Sequence, residues 1–314
     1  MAATTPATVS EFHYGAVTPI AAYLMACLGA ALGLRCTTRS LRRTHQNRRA
    51  GWLMLGAVSL GCGIWTMHFI AMMGFSIEGA LVSYDPTMTL LSLGIAIVVV
   101  AVGVFLVGYR GSSPLNLGVA GVFTGLGVAA MHYVGMAALH THGTMRYQVG
   151  AVVASVVIAV VAATAALWAA VSVHGVWPAL GASLVMGVAV TGMHYTGMSA
   201  VEVHLTAATP VSQSSASLMS FLLVMLTGPL VVLVVAAVIV VFDPDVVLGE
   251  GGWSAPETVT ASRSGRRTPA HAAHSAYTAY TTQQAQQAQQ ARQQDAAAPR
   301  HPGGGLPPTQ HNWQ

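Results

Sequence analysis

The sequence predicts an all-α membrane protein of seven transmembrane helices, one lone helix plus three repeated helix hairpins, with the N-terminus out and the C-terminus in. Three observations carry this expectation. Of the 314 residues, 54% are hydrophobic and only 7% charged, whereas about a quarter of a soluble domain is charged. Seven apolar runs of roughly 19 to 25 residues show no alternation, so they read as helices rather than barrel strands. Finally, one pattern occurs three times: Met67-His68-Phe69-Ile70-Ala71-Met72, Met131-His132-Tyr133-Val134-Gly135-Met136 and Met193-His194-Tyr195-Thr196-Gly197-Met198. The offsets are 64 and 62 residues, so an internal repeat organises the chain.

Residues 1–15 lack the basic n-region and apolar h-region of a secretory signal, and no cleaved leader is expected. Span one is 16–34. Arg35, Arg39, Arg42, Arg43, Arg48 and Arg49 follow it, the densest positive cluster in the chain. Short basic loops stay cytoplasmic, which places this loop inside. Span two is 51–75, with Trp52 as an interfacial aromatic at its inner end. Glu78 and Asp85 then mark an outer loop. Span three is 87–109, led by Pro86 and closed by Arg110. Span four is 115–138 and holds Gly121-x-x-x-Gly125, a close-packing pattern. His140, His142 and Arg146 fall in the next outer loop. Span five is 149–173 and span six 177–201, with Glu202 and His204 just outside. Span seven is 218–242, and residues 243–314 form a Gln-, Ala-, Gly- and Pro-rich cytoplasmic tail too poor in large apolar residues to make a core. Spans two, four and six run in parallel, and each motif starts about 16 residues in. The three motifs therefore share one depth, about 10 Å below the outer helix end.

Composition also excludes partners. All 13 basic residues are Arg, and they cluster where topology needs them, so the pI near 9.2 does not indicate nucleic acid. Cys27, Cys36 and Cys62 show no zinc spacing and no disulfide framework. No phosphate-cradling loop with Lys, no paired intramembrane carboxylates and no nucleophile with a base are found, so no enzyme activity is expected.

The motifs carry the chemistry. A His and a Met four residues apart lie on one helix face. Ionisable groups inside a membrane are costly and point to function. Imidazole suits zinc, copper, iron and nickel, and thioether selects Cu(I). His68, His132 and His194 with Met72, Met136 and Met198, and secondarily Met67, Met131 and Met193, make a His/Met set without carboxylate, which favours copper over zinc and argues against magnesium, calcium or manganese. Against this stands a simpler reading: each His hydrogen-bonds a neighbouring helix, with Tyr and Thr as partners. Phe69 for Tyr, Ala71 for Gly and the extra Met73 set the first motif apart.

At these residues the chain resembles the MHYT family of bacterial integral membrane sensors. Met193-His194-Tyr195-Thr196 matches the signature tetrapeptide, and the other two copies are variants; the resemblance covers about residues 13–242. It implies a multi-pass protein of the bacterial cytoplasmic membrane that senses oxygen, carbon monoxide or nitric oxide through copper held by the motif His and Met residues. Family members often carry a cytoplasmic cyclic-di-GMP enzyme or histidine kinase. The tail resembles none of these, so signalling would use a separate cytoplasmic partner. Two other functions fit the residues: copper uptake, storage or delivery, and a metal-free membrane scaffold.

Overall fold

A computed structural model describes residues 4–6, 9–11, 13–42, 46–77, 82–141, 143–206 and 215–242. The expectations made for Arg43, Glu78, His142 and the tail 243–314 lie outside the described residues. Each of the seven expected spans is a helix: α1 (Val17–Arg42), α2 (Gln46–Met73), α3 (Pro86–Arg110), α4 (Pro114–Ala137), α5 (Val149–Ser172), α6 (Val176–Met198) and α7 (Ser215–Val241). All seven are long and apolar enough to cross a membrane.

Two ends of the bundle differ. At one end the connections are three residues long: 43–45, 111–113 and 173–175. Gly111 and Gly175 take φ of 85° and 96° there, a region that side chains beyond hydrogen disfavour. Ser113 caps α4 by accepting from the Asn116 amide at 3.3 Å, and the Asn116 side chain donates to the Arg110 carbonyl at 3.0 Å. The Asn116 side chain is therefore used in the turn. The Arg cluster also sits at this end, but not in a loop as expected. Arg35, Arg39 and Arg42 belong to α1, and Arg48 and Arg49 to α2. The Arg39 guanidinium lies 5.2 Å from the Trp52 ring and that of Arg49 5.3 Å from the Tyr109 ring. Arg49 also donates to the Gly108 carbonyl. Helix continues through these residues because Arg is a good helix former and its apolar stem packs while the charge stays at the edge.

The other end carries every described strand: β1 (Thr4–Pro6), β2 (Val9–Ser10), β3 (Ser76–Ile77), β4 (Ser83–Tyr84), β5 (Leu139–His140), β6 (Gly143–Tyr147) and β7 (Val201–Thr206). They form the sheets β1-β7-β6, β2-β3 and β4-β5, all antiparallel. The outer loops were expected to be irregular. Instead they pair into a cap over the ends of α2, α4 and α6. Asp85, read as an outer-loop carboxylate, is the N-cap of α3 and accepts from the Met88 amide at 2.8 Å.

Helix packing corrects the lone-helix-plus-three-hairpins arrangement. The pairs α2–α3, α3–α4, α4–α5, α5–α6, α6–α1 and α1–α2 pack in a closed ring, and α7 packs on α2 and α1. So α1 is not the odd helix. It fills the outer place that α3 and α5 fill in the first two repeats, and α7 lies outside the ring. Three glycines, each six residues before a motif Met, show the equivalence. A Cβ on Gly61 would lie 2.9 Å from Ile97 Cα on α3; on Gly125, 2.4 Å from Val160 Cα on α5; and on Gly187, 2.4 Å from Cys27 Sγ on α1. Each repeat thus presses a glycine against its outer helix, as small-residue packing between membrane helices requires. The third outer helix is α1 because the chain closes the ring with its first helix.

Candidate metal centre

The C-terminal turns of α2, α4 and α6 converge beneath the cap. His68, His132 and His194 lie five, five and four residues before their helix ends, about 7 Å of helix. The motifs share one level as expected, slightly nearer the end because all three helices stop earlier than the apolar runs suggest. All three imidazoles are 1% exposed, so they face the bundle axis and not lipid.

Their rings form a near-equilateral triangle. Centroids are 5.0 Å (His68–His132), 5.0 Å (His68–His194) and 5.2 Å (His132–His194) apart, with interplanar angles of 79°, 77° and 87°. His68 Nδ1 is 3.0 Å from His194 Nδ1 and 3.2 Å from His132 Nδ1. One ligand nitrogen from each ring can be chosen so that all three lie within 4.8 Å of one another. Each His ring also meets the aromatic after it edge-on, at 4.8 Å for Phe69, 4.9 Å for Tyr133 and 5.0 Å for Tyr195. These aromatics wall the centre. Tyr133 reaches outward, and its hydroxyl shares a 2.7 Å hydrogen bond with Ser155 on α5.

The far edge of each ring explains the small residue in the motif. A Cβ on Gly135 would lie 2.5 Å from His68 Nε2, and one on Gly197 2.5 Å from His132 Nε2. Thus the small position of the second motif receives the His of the first, and that of the third receives the His of the second. Neither Nε2 has a hydrogen-bond partner.

A neutral imidazole has one donor and one acceptor. The His68 Nδ1 stands in both short pairs, and its single proton or lone pair must be shared between two neighbours. One cation meets all three lone pairs. Nitrogens bound at about 2.0–2.1 Å to one ion stand about 3.3 to 3.5 Å apart in tetrahedral or trigonal geometry, close to the separations found. The donor set therefore fits a metal ion. It departs from common metal sites in one respect: the outer nitrogens of His68 and His132 lack the second hydrogen bond that usually orients a ligating imidazole. Packing against Gly135 and Gly197 holds these rings instead. The His residues do hydrogen-bond neighbouring helices, as the simpler reading held, but through one another.

Met67, Met72, Met131, Met136, Met193 and Met198 are all buried in the core cluster that contains the motif ends. Cys27, Cys36 and Cys62 are buried and free. His140 is engaged locally, its Nδ1 3.0 Å from the Ala138 carbonyl. Among the described residues, the His triad is the one cluster of His, Cys, Asp and Glu side chains with metal-ligand spacing.

Glu11 is a half-buried carboxylate in the segment leading to α1. Burial raises its pKa above the ordinary carboxylate value. The fold thus favours the neutral acid. That contribution is fully present below the unfolded value of about 4.3 and is lost as pH rises through the raised folded value. Glu11→Gln is expected to flatten this fall, so that thermal melts at about pH 4 and about pH 8 converge relative to wild type.

A seven-helix multi-pass protein with a threefold imidazole centre under an extramembrane cap is the class that fold and site define. Residues 61–120 and 125–183 match the MHYT family model, described as a bacterial signalling protein N-terminal repeat. The third motif, though it spells the tetrapeptide, lies beyond the matched residues. Similar proteins include the bifunctional diguanylate cyclase/cyclic di-GMP phosphodiesterase MucR of Pseudomonas aeruginosa, 44% identical over 48% of this chain and 23% of its own length. The cyclic di-GMP phosphodiesterase NbdA of the same organism is 38% identical over 67% of this chain and 27% of its own. The signalling protein YkoW of Bacillus subtilis is 29% identical over 60% and 24%. The chain spans about a quarter of the length of these curated relatives. No solved structure matches it. The seven helices are long and apolar enough for a multi-pass membrane protein, and the proteins it resembles are named as signalling proteins or cyclic di-GMP enzymes.

Proposed function

We propose that this chain is a sensor of the bacterial cytoplasmic membrane in which His68, His132 and His194 hold copper, with Met72, Met136 and Met198 as thioether donors and Met67, Met131 and Met193 as secondary ones. The signal is a diatomic gas (oxygen, carbon monoxide or nitric oxide) or a change in redox state. The observation that carries this reading is the convergence of three buried Nδ1 atoms from three helices. Copper is favoured because, among the described residues, no carboxylate joins the triad at metal-ligand spacing. A dication without a counter-charge in an apolar core is costly, whereas Cu(I) carries one charge and accepts both imidazole and thioether. Bound there, copper supplies a one-electron couple and a coordination position for a small ligand.

The protein's part is to couple that site to helix positions. Each of α2, α4 and α6 gives one imidazole, so any change in ligand spacing is a displacement of these helices. Phe69, Tyr133, Tyr195 and the strand cap keep bulk water out. The basic residues Arg35, Arg39, Arg48, Arg49 and Arg110 gather at the end opposite the motifs, which supports an outer metal site and an inner C-terminus. The relatives named as cyclic di-GMP enzymes support a cytoplasmic signalling partner.

The test is elemental analysis of purified protein. Wild type is expected to hold about one copper per chain after Cu(I) loading, and the His68/His132/His194→Ala variant background copper at an unchanged elution volume. A His132→Gln variant guards against misfolding of the triple variant. A loaded, folded wild type free of copper would overturn the proposal and favour the scaffold.

A further inference from the structure

Below the His triad the ring of helices encloses a cavity of about 60 Å³. Its lining repeats the threefold order. Ile64, Val128 and Val190, each one turn before a motif His, face it, and so do Leu60, Thr124 and Met186, each two turns before. Residues four apart share a helix face, so the cavity is coaxial with the triad, directly beneath it. Met193, adjacent to His194, also lines it.

The space exists because α5 presents alanine to the axis. Ala159, Ala162, Ala163, Ala166 and Ala170 line it over about 16 Å of helix, where larger side chains would fill the ring. The walls are otherwise aliphatic apart from two threonines. Thr37 Oγ1 is satisfied by the Gly33 carbonyl at 2.8 Å. Thr124 Oγ1 has no partner, and Thr124 is 6% exposed. A buried water needs two to four polar partners, and apolar cavities stay dry and take up gases such as xenon. One unpaired hydroxyl does not meet a water's need.

We propose that this cavity is a binding chamber for a small, neutral, weakly polar molecule of diatomic size, and the route by which it reaches the triad from within the membrane. The route rests on the copper reading above; the chamber does not. Apolar solutes partition from water into such surroundings. The cap and the aromatic wall cover the triad at one end, and the cavity lies on the axis at the other.

Crystals of the full chain, metal-free and pressurised with xenon, test the chamber. The expected result is an anomalous peak among Val104, Ala163 and Val190 in wild type. It should vanish in Ala163→Leu and persist in Val161→Leu, whose side chain is 63% exposed at this position in wild type. A wild type without xenon in the ring overturns the proposal whatever its metal content. The route is tested by carbon monoxide association with Cu(I)-loaded protein, copper content being measured separately. Ala163→Leu should slow association about tenfold or more at unchanged copper content. An unchanged rate in a variant that has lost its xenon peak overturns the route. If wild type binds xenon but no copper, the route fails with the copper reading and the chamber stands.

Discussion

Gly125→Leu is expected to prevent assembly of the helix ring. A Cβ at this position would meet Val160 Cα at 2.4 Å, Val160 N at 2.7 Å and the Ala159 carbonyl at 2.8 Å. These are backbone atoms of α5, so no side-chain rotation relieves the clash. Overpacking a well-filled core costs about 1–3 kcal/mol and more where backbone must move, and here two helices must separate. The expected outcome is loss of monodisperse protein in size-exclusion chromatography, or a melting midpoint lowered by more than about 8 °C. Gly118→Leu on the same helix is the control, because nothing lies within 4 Å of its Cβ position. Equal damage from both variants would contradict the packing account.

His68→Ala is expected to have the largest effect of any single substitution on metal binding. His68 Nδ1 has both other Nδ1 atoms within 3.2 Å, so its loss leaves two ligands without their common neighbour. Changing groups that merely orient a ligand costs about 10- to 100-fold in metal affinity, and loss of a ligand should exceed about 100-fold. Gly135→Ala should act more mildly, since its methyl meets only the tip of the His68 ring, at 2.5 Å. Competition with a Cu(I) chelator measures both. Wild-type affinity in His68→Ala would remove the triad from the site.

The repeat made much of this legible. The offsets of 64 and 62 set three helices in parallel and three His residues at one level, and the structure brings them together. From α3 onward the helix ends fell within a few residues, because apolar runs mark the membrane and Pro86, Ser113 and Asp85 punctuate it, whereas α1 ran on to Arg42 and α2 began at Gln46. At Gly135 and Gly197 the small residue of the motif accommodates a neighbour's imidazole, which no local pattern announces. Three features were missed for physical reasons. The cap was read as loops, although Val201-Glu202-Val203-His204 alternates as a strand does; strands of two to six residues give little periodicity, and their pairing partners are far apart in the chain. The place of α1 was assigned by sequence order, which pairs neighbours, whereas ring closure depends on Gly187 meeting Cys27 and Tyr23. The central cavity was invisible because its cause is an alanine face, and alanine reads simply as helix. For the six motif methionines, burial is shown, while their part in ligation stays with the proposal.

Ring closure by α1 sets an order on biosynthesis. Helix α1 has one ring neighbour available as soon as α2 follows it from the ribosome, but its other neighbour, α6, is made more than 130 residues later. Until then, the face of α1 at Cys27 and Tyr23 lacks its partner, Gly187 of α6. The third imidazole arrives on that same helix. The nascent chain therefore holds an incomplete triad until the last ring member inserts, and a metal delivered during translation would find two ligands and not three. Docking of α6 completes the helix ring and the His triad in a single event.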